Sequence, residues 1–591
     1  MKDTIKINVP VLARVEGEGA LDLTITHKQI TELKLRIFEP PRYFEKFLQG
    51  RNYYDVPDTV ARICGICPVA YQMSASHAIE SIFGISISPW IRAMRRLFYC
   101  GEWLQSHSLH IHLLAAPDFF GFNSAIEMSQ QYPDEVRRGL KLQALGNDLI
   151  SLFGARSVHP VGVKIGGFTR APDQSDVDDL LIRIKDSKQD AIDLICWLDS
   201  LELPEDEQEF VSVALHHEKE YPLNEGRLIS DNGLDIDISE FENHFKEQQV
   251  DYSTALHCLL NGKPYLVGPL ARINLNKQQL PEQIKELMHQ LKAQFPSKNM
   301  FHSIIARGIE IYFTILEAEQ LLSHYEKTDS PYMQVKPQQG TGYGCTEAPR
   351  GILWHRYDMD KNGCVEKAVI IPPTSQNQSR IEQDLKNALL QFGLDKPKPE
   401  LQLHAEKVIR NYDPCISCAT HFLDLNLKRE GFNEHSIKTL VLAPAFTKVN
   451  LHKAAIIGIG SPNNGDELAF RAIDILKKTP EISNLIKQGL TLYKLDRPGL
   501  RLGEHILKFN HVLMIDAIKP GSTNKDFAWV DINSLNTLTN KFSSHQLALA
   551  ESIAWIKSET KLPEDTALLA IAKINGDLIT KLVLSCLQQP K

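Results

Sequence analysis

The 591-residue sequence lacks an uninterrupted apolar run of about 18 residues, and this absence predicts that the chain has no transmembrane helix. The chain also has no excess of basic residues. It contains 65 Lys and Arg and 73 Asp and Glu, which gives a net charge of −8. This balance argues against nucleic acid or an anionic membrane surface as a partner. The first residues show neither a secretory pattern nor a twin arginine, so we expect a cytoplasmic protein. Export as the passenger of a signal-bearing partner stays open.

Apolar patterning divides the chain into two regions of different character. Residues 1–40 alternate like short strands, whereas residues 57–116 and 175–330 carry mostly helical patterns. Further on, KAAIIGIG, DELAFRAIDILKK and HVLMIDAI follow one another as buried strand, helix and buried strand. These patterns predict an α+β protein, a mainly helical core with small β elements followed by a compact α/β domain. The predicted domains are residues 1–421, a linker or extension over 422–453, and residues 454–591.

Ten cysteines are an ordinary number for this length, but four of them form two C-x-x-C pairs. The pairs are Cys64 with Cys67 and Cys415 with Cys418. Because positions i and i+3 share a face, each pair can present two thiolates to one metal. Four thiolates suit zinc, an iron–sulfur cluster, or nickel with iron. The 348 positions between Cys67 and Cys415 disfavour a small zinc knuckle, but spacing alone leaves structural zinc, a catalytic metal site and buried structural thiols open.

The residues around the two pairs narrow these alternatives. The first pair stands in RICGICP and the second in DPCISCATH. RVEGEG and FEPPRYFEKFLQGR precede the first pair, and EAPRGILWH and IIPPTSQN precede the second. Over residues 1–421 this combination resembles the large subunit of nickel–iron hydrogenases, and within them the multisubunit, cytoplasmic, bidirectional branch. The resemblance implies an oxidoreductase that cleaves dihydrogen reversibly into protons and electrons.

The resemblance also implies a metal centre. It is a nickel–iron centre whose iron holds carbon monoxide and cyanide, with a magnesium ion nearby. The implied ligands are Cys64 and Cys415 on nickel, Cys67 and Cys418 between nickel and iron, and Glu45 with His421 on magnesium. Four thiolates are a set that would hold such a soft metal pair.

Further polar residues match catalytic positions of the family. Arg350 in EAPRG would project its guanidinium over the open site, to polarise dihydrogen or bond a cyanide. Asp118 and Asp413 would orient Arg350 and the cysteine loop. Glu16 in RVEG would pass on the proton taken by Cys415 or Arg350. A surface ion pair for Arg350, a turn or cap for Asp413 and a solvated turn for Glu16 remain alternatives.

Three positions depart from the family pattern. Tyr71 stands where the family often has histidine, and Glu18 stands where the opening motif usually has histidine. Pro373 replaces a serine that often donates to cyanide, so Thr374 or the backbone would have to serve. These departures concern tuning and oxygen tolerance, and none removes a metal ligand.

The implied enzyme needs partners, because the chain has no further cysteine cluster for iron–sulfur centres. Electrons would leave through an iron–sulfur small subunit toward NAD(P)-linked or similar electron-transfer subunits. Nickel-insertion and iron-centre maturation proteins would load the site. A hydrogen-sensing regulatory subunit with slow turnover, a structural subunit related to quinone reductases and a zinc-stabilised assembly factor are the competing interpretations.

The last 138 residues show a second resemblance. GIGSPNNG follows a predicted strand, but Asn463 occupies the third glycine position of a dinucleotide-binding loop. GIG followed by Asp466 and Glu467, IDA at Asp516, and SSH at His545 resemble hydrogenase maturation endopeptidases instead. In that family Glu467, Asp516 and His545 would bind nickel transiently. Purely structural roles, at a helix start for Glu467 and at a strand end for Asp516, remain alternatives.

Together the two resemblances predict a large subunit fused to its processing protease, a hydrolase. Large subunits are cut after the last motif histidine, so the expected cleavage lies between His421 and Phe422 once nickel is loaded. The segment removed would be 170 residues long. Its removal would let the second cysteine pair fold inward and close the site.

Overall fold

The structure is a computed structural model that describes most of the chain. It describes residues 4–39, 42–420, 439–440, 446, 449–460, 467–496, 502–517, 527–530, 553, 562–563, 565–571 and 574–587. The chain divides into two compact units, Met1–Asn426 and Leu427–Lys591. Within the described ranges, no helix combines the length and apolarity that crossing a bilayer requires.

The first unit is built mainly from helices. Its α-helices are α1 Phe44–Leu48, α2 Val56–Val60, α3 Pro68–Ile82, α4 Pro89–Leu109, α5 Ala116–Phe120, α6 Ala125–Ser129, α7 Pro133–Gly154, α8 Gln174–Asp186, α9 Lys188–Ser200, α10 Phe241–His244, α11 Pro269–Asn276, α12 Glu282–Met288, α13 Ser303–Ser323, α14 Pro373–Phe392 and α15 Lys398–Asn411. A π-helical turn joins α4 to α5.

Small antiparallel sheets complete this unit. Its strands are β1 Thr4–Val9, β2 Gly19–Thr26, β3 Gln29–Ile37, β4 Val163–Lys164, β5 Gly167–Phe168, β6 Val213–His216, β7 Arg227–Ser230, β8 Asp235–Ile236, β9 Phe245–Gln248, β10 His257–Leu260, β11 Gly340–Ala348, β12 Gly351–Met359 and β13 Val365–Ile371. The three-stranded sheets are β1-β2-β3, β6-β7-β8 and β11-β12-β13. Helices and separate antiparallel sheets agree with the predicted α+β class.

One prediction of secondary structure is wrong. Residues 175–330 were expected to be mostly helical, but β6 to β10 occupy the stretch between α9 and α11. These strands are two to four residues long, and such short apolar runs do not distinguish strand from helix by periodicity.

The helical core surrounds α4. This helix starts at Ser88, whose hydroxyl accepts from the Ile91 N–H at 3.3 Å, and Pro89 occupies its first turn. Nearly all of α4 from Met94 onward is buried, because it packs against both α7 and α13. α3 packs in turn on β11 and β12. α4 and α3, the helix that begins directly after the first cysteine pair, are therefore fixed by the core.

The second unit is an α/β structure around one six-stranded sheet. Its strands are β14 Thr439–Leu440, β15 Ala454–Gly460, β16 Thr491–Asp496, β17 His511–Ala517, β18 Phe527–Val530 and β19 Asp565–Ile571, and its helices are α16 Leu468–Lys478, α17 Pro480–Lys487, α18 Leu502–Ile506 and α19 Gly576–Leu587. The strand order is β14-β18-β19-β17-β15-β16, with β16, β15, β17 and β19 parallel.

The strand order creates a topological switch. From β15 the chain goes to β16 on one side and then to β17 on the other. In open parallel sheets, ligands bind at the carboxyl ends of the two strands where the order reverses. That crevice lies at the ends of β15 and β17.

We expect Gly146→Ala in α7 to lower the melting temperature of the full chain. A Cβ atom at Gly146 would lie 2.5 Å from the backbone nitrogen of Gln105 and 2.7 Å from the carbonyl oxygen of Gly101, both in α4. Overpacking of this kind destabilises by about 1–3 kcal/mol. Differential scanning calorimetry measures the change.

The matched control is Gly308→Ala in α13. There the nearest atom is the flexible end of Leu198, at 2.9 Å. This variant should lose clearly less stability, and equal losses would contradict the close approach of α4 and α7.

Candidate metal centre

Four cysteine side chains meet in the interior of the first unit. The sulfurs of Cys64, Cys67, Cys415 and Cys418 all lie within 4.8 Å of one another, and all four residues are buried. The Sγ atoms of Cys64 and Cys415 are 3.4 Å apart, and those of Cys67 and Cys418 are 3.9 Å apart. All ten cysteines are free thiols. The two predicted pairs thus converge on one point that could hold a metal.

The sulfurs differ in how readily they carry negative charge. Hydrogen bonds from the thiols of Cys415 and Cys418 lower the pKa of Cys64 well below its usual value, and the charge of Arg350 acts in the same direction. Burial raises the pKa of Cys415 instead. Negative charge therefore concentrates on Cys64, which a bound cation would stabilise further.

The second cysteine turn follows a sharp change of chain direction. Asp413 adopts a φ of 56°, in the left-handed region that aspartate tolerates, and Pro414 follows it. The N–H of Cys415 donates to Oγ1 of Thr374 at 3.0 Å, from the first turn of α14. Because this bond uses a lone pair of Thr374, its hydroxyl hydrogen can still donate elsewhere.

Arg350 is buried beside the cysteines at the end of β11. Its Nε donates to the carbonyl oxygen of Asp413 at 2.7 Å, and its Nη2 donates to Oδ1 of the same residue at 2.9 Å. Among the residues described, its Nη1 has no hydrogen-bond partner. Burial opposes the positive charge, but Asp413 and the cysteine sulfurs outweigh it and hold the pKa of Arg350 well above its usual value. Arg350 is thus a fixed cation with one donor group unused by the protein.

The structure separates Asp118 from Arg350. Both carboxylates were expected to orient Arg350, but only Asp413 contacts it. Asp118 accepts from Nε and Nη2 of Arg410 at 2.6 and 2.9 Å, and it also bonds Arg14. The carbonyl oxygen of Arg410 accepts from the N–H of Asp413 at 2.9 Å. Asp118 therefore reaches Arg350 only through the chain that carries Asp413.

Glu16 lies against the second cysteine turn. It forms an isolated parallel β-bridge with Cys415, and its carbonyl oxygen accepts from the N–H of Ile416 at 2.9 Å. Its Oε2 accepts from the N–H of Ser417 at 3.1 Å. Burial raises the pKa of Glu16, and negative charge on Cys64 raises it further. A carboxyl group that favours its protonated form thus borders the cluster.

A glycine makes this approach possible. Gly17 has a φ of +87°, and a Cβ atom there would lie 2.5 Å from Oε1 of Glu39 and 2.8 Å from Cβ of Ile416. The hydroxyl of Ser417 donates to Oε1 of Glu39 at 3.0 Å. A second carboxylate therefore stands behind Glu16 on the same turn.

Several predicted site residues lie elsewhere or outside the described residues. Glu45 in α1 is buried, and its Oε1 accepts from the N–H of Ile370 at 2.7 Å. In the second unit, Glu467 precedes α16 and Asp516 lies buried near the end of β17. The predicted residues that fall outside the described ranges are His421, Phe422 and His545.

Comparison with known proteins decides the family. A family model described as nickel-dependent hydrogenase matches residues 42–138 and 198–421. The chain is 30% identical over 421 residues to the sulfhydrogenase 2 subunit alpha of Pyrococcus furiosus, covering 71% of this chain and 100% of that one. The chain belongs to the nickel-dependent hydrogenase family. It is a hydrogenase large subunit, and the predicted membership in this family is confirmed.

Other relatives support the same assignment. The hydrogenase chain is 26% identical to subunit beta of the NAD-reducing hydrogenase HoxS of Cupriavidus necator, covering 71% of this chain and 95% of that one. It superposes on a crystal structure of a NAD⁺-reducing [NiFe]-hydrogenase with a TM-score of 0.66 and 25% identity, covering 71% of this chain and 99% of that one. These similarities favour the nickel–iron interpretation of the cysteine cluster over structural zinc.

The hydrogenase site contains residues that sequence reasoning did not assign. Tyr71 is buried, and among the described residues its hydroxyl has no partner. Burial raises the pKa of Tyr71 well above its usual value, and the charges of the four cysteines add to this effect. Glu102 and Gln105 bond the backbone around the first cysteine pair. Glutamate and glutamine three positions apart in a long apolar helix are the only signal that the sequence offered.

We expect Cys64→Ala to abolish nickel binding, because it removes one of four converging sulfurs. Nickel per chain, measured by mass spectrometry of the purified protein, should fall to background. Cys345→Ala is the matched control, since Cys345 is also buried but lies in β11 outside the cluster. Nickel retained by the first variant, or lost equally from both, would contradict the assignment of the cluster.

Proposed function

We propose that this chain is the catalytic large subunit of a nickel–iron hydrogenase that cleaves dihydrogen reversibly, fused to a maturation endopeptidase. One observation carries the first half of the proposal: four buried sulfurs lie within 4.8 Å of one another beside Arg350, whose Nη1 has no partner among the described residues. Soft ligands next to a fixed cation suit a metal centre that carries anionic ligands.

The residues present fit a nickel–iron centre. Cys64 and Cys415 would hold nickel, and Cys67 and Cys418 would bridge nickel to an iron with carbon monoxide and cyanide ligands. Bound there, the centre would supply the redox chemistry that splits dihydrogen. The free Nη1 of Arg350 would donate to a cyanide, and the hydroxyl of Thr374 could serve a second one.

The proton route follows from the charges around the cluster. The pKa of Arg350 lies so far above its usual value that the guanidinium stays protonated. A guanidinium that is already protonated cannot accept a further proton, so Cys415 is the proposed proton acceptor. Glu16, which forms a β-bridge with Cys415 and binds the N–H of Ser417, would take the proton onward. Ser417 and Glu39 stand next to it, and Glu39 is half-exposed.

Exposed apolar residues mark the proposed docking face of the iron–sulfur small subunit. Val158 and Val161 are 52% and 38% exposed. A Cβ atom at Gly65, between the first two cysteines, would lie 3.7 Å from Val158. Electron transfer requires a short distance between the metal centre and the iron–sulfur cluster of the partner. This face adjoins the first cysteine turn. The NAD-reducing relatives support NAD(P)-linked or similar subunits as the next acceptors.

Glu45 is the described half of the proposed magnesium site, with His421 as its partner. Its buried carboxylate is fixed by the backbone of β13 through Ile370. Nickel-insertion and iron-centre maturation proteins remain the proposed loading partners.

The second unit supports the fused endopeptidase by its topology. Glu467 is the N-cap residue of α16, the helix after β15, and Asp516 is the last residue but one of β17, so both belong to the carboxyl ends of two neighbouring parallel strands. This edge is the switch point where an α/β sheet binds its ligand. With His545 they would hold nickel transiently. The family match ends at residue 421, directly before the proposed cleavage between His421 and Phe422.

We expect Glu16→Gln to slow dihydrogen-driven dye reduction about 10²–10⁴-fold, because glutamine keeps the hydrogen bond to Ser417 but cannot carry a proton. Nickel content should stay unchanged. The control is Glu382→Gln, a part-buried carboxylate bonded to Leu35 and Tyr252 away from the cluster. Equal rates in the two variants would exclude Glu16 from the proton route.

We expect cells supplied with nickel to cleave the chain from 591 residues to 421, and Asp516→Ala should block this cleavage. Intact mass of protein from nickel-replete and nickel-starved cells measures both effects. Asp565→Asn is the control, because this carboxylate lies at the opposite, amino end of the neighbouring strand β19. A chain that stays full-length with nickel, yet reduces dye, would refute the fused endopeptidase but leave the hydrogenase proposal standing.

A further inference from the structure

Two side chains of α4 reach the first cysteine turn from the same side. Oε2 of Glu102 accepts from the N–H of Val69 at 2.6 Å, and Oε1 accepts from the N–H of Ala70 at 3.1 Å. One helical turn later, Nε2 of Gln105 donates to the carbonyl oxygen of Ile66 at 2.6 Å. The backbone on both sides of Cys67 is thus held by α4.

Glu102 is an unusual residue for this position. It is fully buried, its hydrogen bonds go to backbone N–H groups, and within the described part of the chain it forms no salt bridge. Burial raises the pKa of Glu102 well above its usual value. A buried carboxyl group without an ion pair costs stability unless its hydrogen bonds repay it. The bonds to Val69 and Ala70 therefore need a reason.

The start of α3 supplies that reason. The first N–H groups of a helix lack partners within the helix, and a side chain at the N-cap residue usually satisfies them. Here the N-cap residue is Cys67, whose side chain makes no capping bond. Its sulfur lies in the cluster with the other three. Cys67 therefore does not cap α3, and Glu102 binds the first free N–H groups of the helix instead.

Gln105 completes the arrangement by binding the peptide between the two cysteines. The carbonyl of Ile66 lies between the two cysteines, where the N–H groups of Ile66 and Cys67 already point to the sulfur of Cys64. The amide of Gln105 fixes this peptide through the carbonyl. The sulfur of Cys64 then keeps its two N–H donors.

We propose that Glu102 and Gln105 are positioning residues that together clamp the first cysteine turn and set where Cys64 and Cys67 meet the metals. The clamp is a property of the chain itself, whereas its effect on the nickel–iron centre rests on the proposed function. Glu102 touches neither metal nor substrate in this role. It acts through the backbone of α3.

The decisive variant is Glu102→Gln. One amide oxygen can accept one of the two N–H groups, and the NH₂ group would then face the other, donor against donor. In protein isolated without nickel, Cys64 and Cys67 should react with iodoacetamide about fivefold to tenfold faster, the change in local opening that one lost hydrogen bond produces. Cys345, which is buried in β11 outside the cluster, is the internal reference and should not change. Peptide mass spectrometry measures all three rates.

In loaded protein, the same variant should shift the infrared stretching bands of carbon monoxide and cyanide. Gln105→Met removes only the bond to Ile66 and should also raise the reactivity of Cys64 and Cys67. If Glu102→Gln protein fails to accumulate, this second variant tests the clamp. The matched control is Glu80→Gln at the far end of α3, where a buried carboxylate binds Arg95. This control should melt at a lower temperature with unchanged thiol rates and bands.

The outcomes separate the two proposals. Unchanged thiol rates in both α4 variants, or equal increases in Glu80→Gln, would overturn the clamp. Wild-type protein that holds neither nickel nor the infrared bands would overturn the proposed function, while the thiol rates would still decide the clamp.

Discussion

The first unit depends on the meeting of two cysteine turns that lie 348 positions apart in the chain. Each turn contributes two buried sulfurs, and the four come within 4.8 Å of one another. Negative charge on sulfurs crowded away from water is stable only when surrounding donors and cations compensate it, so the turns depend on the groups around them. The helical core, the small sheets and the buried ion pairs can all be understood as supports for these two turns.

The groups that support the second turn include two buried ion pairs, one next to the cluster and one behind it. Arg350 faces the cluster and is held by Asp413, which lies two residues before the second turn. Arg410 and Asp118 stand behind it, and the carbonyl of Arg410 binds the N–H of Asp413. A buried ion pair contributes little net stability by itself, since desolvation offsets the attraction. Its value here is positional, because each pair fixes the direction of the next group toward the sulfurs.

Sequence alone located the cysteines, Arg350, Asp413 and Glu16 as site residues, because short motifs hold them at fixed spacing. It did not reveal that Asp118 binds Arg410 rather than Arg350, since a motif does not tell which of two arginines a carboxylate will reach. The small strands between α9 and α11 were also unpredictable, because runs of two to four residues carry no period. The role of Glu102 could not be predicted for a further reason. Its partners are backbone N–H groups, which leave no pattern in a sequence.

The two cysteine turns differ in the sequence distance of their supports, and this difference bears on the order of assembly. Glu102 and Gln105 lie within about 40 positions of the first turn, as the residue numbers show, so it can form as soon as α3 and α4 pack. The second turn is held by Thr374, 41 positions from Cys415, but also by Glu16, 401 positions from Ser417. Contacts between distant segments form late, since the loop entropy must be lost before they stabilise anything. The proposed extension after His421 follows this second turn closely in the sequence, so a check on metal loading exerted through it would act on the part of the site that closes last.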